Sequence, residues 1–217
     1  MLTLLKKEFI LELRRQSVIA GLSVYLLATT FTAYLTFSLK GNTISPVVWS
    51  AIFWITVLFT CIQSIAKSFI GEKQGTNIYM YSIADPHLII LSKIVYNFLL
   101  CTLLELACLG LFILFFGNPV EDMTLFIVVI LLASLGFSST LTMLSGIAAR
   151  ANNSSILMPI LSFPVIISVM LLIVKLTKNC IDNLDRSVSQ QDLITLGAIS
   201  CLVTALSYIL FPYIWRS

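Results

Sequence analysis

The chain has 217 residues, of which 59% are hydrophobic and 11% charged, with a mean hydropathy of +1.01 and a formal net charge of +3. Ordinary soluble proteins carry roughly 25% charged residues, so this composition excludes a typical water-soluble domain and points to a chain that lives in lipid. Its few basic residues sit where membrane topology signals sit, so no nucleic acid is expected as a partner.

Residues 1–16 come first and are amphipathic. Leu2, Leu5, Phe9 and Leu13 recur at helical spacing, while Lys6, Lys7, Glu8, Glu12, Arg14 and Arg15 occupy most of the other positions. This pattern predicts an interfacial helix, apolar side down on the bilayer. The apolar run Ser17–Ser38 is too long for the core of a cleaved signal peptide and no A-x-A site follows it, so it reads as a retained first span. Five more runs follow: Pro46–Lys67, Ile94–Phe116, Leu125–Ala149, Ile156–Val174 and Leu193–Ile214. Each is long enough to cross a hydrocarbon core as a helix, which takes about 20 residues, and too long for a transmembrane strand. The expected fold is all-α: a single polytopic domain over residues 1–217 with six spans.

The connections carry the polar residues. Leu39–Ser45 is a short turn, and Pro46 suits the first turn of the next helix. Trp49 is placed like an interfacial anchor, Trp54 like a packing residue. Ala66–Lys93 is the longest break between apolar runs and holds the lone histidine, His87. Gly71 and Gly75 permit a sharp exit from the second span, Asn77–Ala84 reads as a brief helix across the membrane face, Asp85-Pro86 as a turn and Lys93 as an anchor before the third span. Gly117-Asn118-Pro119 marks the turn between the third and fourth spans. Within the fourth, Ser134, Ser138, Thr142 and Gly146 stand four apart and let a neighbouring helix approach closely. Pro159 and Pro164 each remove a backbone hydrogen bond, so a break or bend is expected there. Lys175–Asp192 is expected to be the longest and most polar segment on the opposite side. Phe211, Pro212, Tyr213, Trp215 and Arg216 close the last span as an aromatic belt.

If the first and last segments share a side, nine of the 13 basic residues lie there: Lys6, Lys7, Arg14, Arg15, Lys67, Lys73, Lys93, Arg150 and Arg216. The positive-inside rule then puts both termini in the cytoplasm.

Chemistry is sparse. No glycine is followed by lysine, so there is no P-loop and any ATP-driven action needs another subunit. The chain therefore reads as no enzyme in itself. Five cysteines form no C-x-x-C and suit packing, and a lone histidine beside proline is more often an ordinary polar residue than a metal ligand; no metal site is expected. Glu105, near the middle of the third span, is the intramembrane ionisable residue. It reads equally as a translocation or partner-contact site and as a protonated carboxyl bonded to a neighbouring helix.

Taken together, the amphipathic start, six spans and the second-to-third loop resemble the permeases of type-2 ABC exporters. Glu72-Lys73-Gln74-Gly75-Thr76, Asp85-Pro86 and Lys93 look like that family's E-x-x-x-T, Pro and Lys positions around a coupling helix. MPILSFPVIIS and the ending LFPYIWRS resemble more closely the haem exporter protein B family, permeases of the ABC complex for cytochrome c maturation. One departure is that Gly75-Thr76 is followed by Asn77-Ile78-Tyr79, where many type-2 permeases have Leu-Glu.

The resemblance implies a bacterial inner-membrane permease subunit. Its coupling loop (Glu72, Gly75, Thr76, Asp85, Pro86, Lys93) would dock a cytoplasmic ABC ATPase that holds the ATP. A second haem-handling membrane subunit and, indirectly, a periplasmic haem chaperone complete the expected partners, with a homodimer left open. Haem is expected as cargo of the complex, not as a cofactor of this chain. A type-2 permease for a lipid, drug or ion, a secondary transporter, and a scaffold that only transmits ATPase work are the rival readings.

Overall fold

Backbone amides in hydrocarbon have no water to bond, so long apolar runs close their hydrogen bonds internally as helices. The computed structural model describes Leu5, Glu8, Ile10 and residues 16–39, 44–70, 85–149 and 154–216. It contains six long helices: α1 (Gln16–Ser38), α2 (Pro46–Ile70), α3 (Pro86–Phe116), α4 (Met123–Ala148), α5 (Ser154–Ile181) and α6 (Arg186–Arg216). All six are long and apolar enough to span a membrane, and the described residues include no strand.

The bundle is built around α4, which packs on α2, α3, α5 and α6, while α1 lies outside against α2 and α3. Side-chain size explains the choice of centre. Ser134, Gly136, Ser138, Thr142 and Gly146 of α4 are all buried. A Cβ on Gly136 would stand 3.2 Å from Ser200 Oγ and 3.3 Å from Val169 Cγ1, so α5 and α6 both reach the α4 backbone there. Leu103, Leu114, Leu171 and Ile194, by contrast, are exposed and face the lipid side.

Several boundaries differ from the sequence expectation. The third helix starts at Pro86 instead of Ile94, because proline needs no N–H donor partner in the first turn and the following residues are apolar. The expected loop Lys175–Asp192 shrinks to residues 182–185, since α5 continues to Ile181 and α6 begins at Arg186. Some of its polar side chains cross-link the two helices: Lys175 pairs with Asp192 at 2.8 Å, and Asn179 Nδ2 donates to Ser189 Oγ at 3.0 Å. Cys180 is accordingly buried in the last turn of α5. The fifth helix is continuous over Ser154–Ile181, so Pro159 and Pro164 do not break it in two.

Trp49 is not an interfacial anchor. It is fully buried, stacked on Phe53 with ring centroids 5.3 Å apart and edge-on to Phe112 at 5.7 Å. Together with Trp54 and Phe126 these rings fill the space between α2, α3 and α4. Trp54 packs as expected, its indole N–H donating to Thr177 Oγ1 of α5 at 2.8 Å.

The end of the bundle with the α3–α4 turn is fastened by one carboxylate. Asp122 caps α4 by accepting from the Leu125 N–H at 3.1 Å, and receives Arg186 Nε and Nη2 from α6 at 2.9 and 3.1 Å. Its own N–H donates to the Cys180 carbonyl of α5 at 3.1 Å. The Arg186 guanidinium, and then the Leu125 N–H, hold the Asp122 carboxyl below its ordinary value. Gly117, at φ 80°, makes the turn that brings Asp122 round, a conformation open to glycine and strained for other residues.

Candidate functional site

The opposite end, around Lys93, gathers the described residues of the expected coupling region. Asp85 is extended (φ −61°, ψ 130°), as a residue before proline prefers, and Pro86 opens α3. Glu72, Gly75, Thr76 and the segment Asn77–Ala84 lie outside the described residues. Of the amphipathic start, Leu5, Glu8 and Ile10 are described and helical.

His87, one residue into α3, is tied to α6. Its ring stacks on Tyr208 at 4.4 Å and its Nδ1 lies 2.9 Å from the Tyr208 carbonyl oxygen. Pro212 explains the contact. A helical carbonyl normally accepts from the N–H four residues on, but proline has none, and in a membrane a freed carbonyl must find another donor. His87 Nδ1–H is that donor, which makes the lone histidine a bracket between two helices.

Lys93 was expected at the aqueous edge. It sits instead on the buried face of α3, fully enclosed, with its Nζ 3.2 Å from Glu8 Oε2. Two turns of helix precede it because α3 begins at Pro86, so its ammonium is carried inward and the N-terminal segment supplies the countercharge. An ammonium withdrawn from water needs such a partner. One turn on, Asn97 Nδ2 donates to Thr142 Oγ1 of α4 at 2.8 Å, and Ser145 Oγ of α4 donates to the Ile65 carbonyl of α2 at 3.3 Å.

Glu105 lies deeper on the same face of α3 and is fully buried, with neither carboxyl oxygen in a hydrogen bond of good geometry. Among the described residues, no group of three or more His, Cys, Asp or Glu side chains is placed to hold a metal ion.

The structure thus brings Pro86, His87 and Lys93 together with residues not singled out as partners in the sequence: Glu8, Asn97, Tyr208 and Pro212. Pro212 carried one readable signal, since proline within an apolar span announces a carbonyl in need of a donor. Which donor answers is a matter of tertiary contact alone.

Six long apolar helices, a centre of small residues and polar cross-links at both ends define a multi-pass membrane protein. A family model for the CcmB protein matches residues 1–213, so the chain belongs to the CcmB family, the haem exporter permeases of cytochrome c biogenesis. The comparison with curated proteins found no match, and neither did that with solved structures.

Proposed function

We propose that this chain is the permease subunit of a bacterial inner-membrane ABC complex for haem handling in cytochrome c biogenesis. A separate ATPase docks on the coupling loop Glu72–Pro86, and both termini lie in the cytoplasm. ATP binding and hydrolysis in the partner displace the start of α3. The displacement drives haem transport, or release of a periplasmic haem chaperone, together with a second haem-handling membrane subunit.

The observation that carries this reading is the family match over residues 1–213. The geometry supports it at one point. Glu8 and Lys93 link the N-terminal segment to the helix that leads out of the expected coupling loop, so a push on either is felt by both.

The test is a mild-detergent pull-down of the tagged chain, with mass spectrometry of its partners and a haem absorbance scan. Co-purification of a P-loop ATPase with a haem-handling membrane protein is the expected result. An ATPase recovered without haem-handling partners would point to another cargo, and recovery of the chain alone would overturn the reading.

A further inference from the structure

The buried face of α3 is polar over several turns. Lys93, Asn97, Cys101, Glu105 and Cys108, spaced four, four, four and three apart, share one side of the helix, and each is at most 1% exposed. A hydrophobic stripe is the usual content of such a face, and a polar one requires an explanation. The stripe starts at the Lys93 end and reaches Glu105 about 18 Å further along, at 1.5 Å rise per residue.

The surroundings of Glu105 are short of donors. Ser134 of α4 lies beside it, but the Ser134 hydroxyl donates to the Ile130 carbonyl at 2.9 Å. Neither Glu105 oxygen has a hydrogen-bond partner of good geometry, and a carboxyl enclosed without donors or a countercharge is held as the neutral acid. None of the described ion pairs includes Glu105. The other titratable groups facing it are thiols: Cys101 and Cys108 on α3, and Cys61 of α2, with Tyr25 of α1 beside Cys108. Beyond them stands the Lys93–Glu8 pair at the mouth of the stripe.

We propose that Glu105 is a proton-binding site, loaded in the closed packing of α2, α3 and α4 and emptied toward the Lys93 end when α3 and α4 part. In the closed state burial keeps the carboxyl as the neutral acid. When the helices separate, the O–H bond breaks, the proton passes to water admitted along the Asn97 side, and that water solvates the carboxylate. Closure reverses the step. The site stands on the packing alone; its timing rests on the proposed ATPase coupling.

Infrared spectroscopy of the full chain in lipid nanodiscs tests both parts. A carboxylic C=O band present in the wild type and absent in Glu105→Gln is expected, and it should shift in D2O. Asn97→Leu, which interrupts the stripe without touching the carboxyl, should keep the band and slow its deuterium exchange about tenfold. The site is overturned if Glu105→Gln removes no acid band, or if the band never exchanges. If Glu105→Gln does not fold, Asn97→Leu decides: an unchanged exchange rate overturns the path. Exchange in the chain alone that ATPase and nucleotide do not accelerate upholds the site and overturns the timing, whereas failure to bind an ATPase is read separately in the pull-down.

Discussion

Two side chains show how much a single residue can hold in this molecule. Lys93 is enclosed on every side and faces Glu8. Removing one member of a buried pair is costly because the other charge stays behind without its countercharge. Glu8→Gln should therefore lower stability by roughly 3 kcal/mol, with Glu8→Gln/Lys93→Met recovering part of the loss. Thermal unfolding in detergent measures this, and a Glu8→Gln midpoint equal to wild type would show that the pair contributes nothing. Asp122 is the counterpart at the other end. Its carboxyl is held below the ordinary value by Arg186 and the Leu125 N–H. A depressed carboxyl stabilises the fold above its unfolded value and loses that contribution as pH falls through the folded one. Wild type should thus be more stable than Asp122→Asn at neutral pH, and the gap should close below about pH 4. A gap that stays constant down to acid pH would show that the charge is not what fastens the helices.

At the scale of helices, the contact of α3 with α6 is the most easily tested. If His87 replaces the donor that Pro212 lacks, the two positions must be coupled. His87→Ala should cost about 1 kcal/mol in the wild type and markedly less in a Pro212→Ala background, where the helix supplies its own N–H to Tyr208. Equal costs in both backgrounds would mean that ring stacking alone holds His87. Existence and number of the helices were readable in the sequence because a run of about 20 apolar residues has few alternatives. Their ends were not. Lys93, Lys175 and Asp192 looked like markers of water because charge usually is, yet in this bundle charges pair across helices and let the helices run on. Trp49 misled in the same way: an indole near a span end fits an interface, and nothing local reveals that Phe53, Phe112 and Phe126 surround it. Residues whose role depends on their own chemistry were legible, as with the small side chains of α4. Residues whose role depends on a distant partner were not.

For the molecule as a whole, α4 is the shared neighbour of four other helices, and two of them, α5 and α6, follow it in the chain. Asp122 waits for Arg186, His87 waits for Tyr208, and the Gly136 notch waits for Ser200 and Val169. All but one of these late-coming residues lie in α6. A nascent chain on the ribosome therefore threads five helices into lipid before Arg186, Ser200 and Tyr208 have been translated. Closure is the act of the final helix, and until it arrives the earlier ones are held only by their hydrophobicity and by the contacts they make with one another. A stop codon ahead of Arg186 would spare five of the six helices and still take Arg186 from Asp122 at one end of the bundle and Tyr208 from His87 at the other.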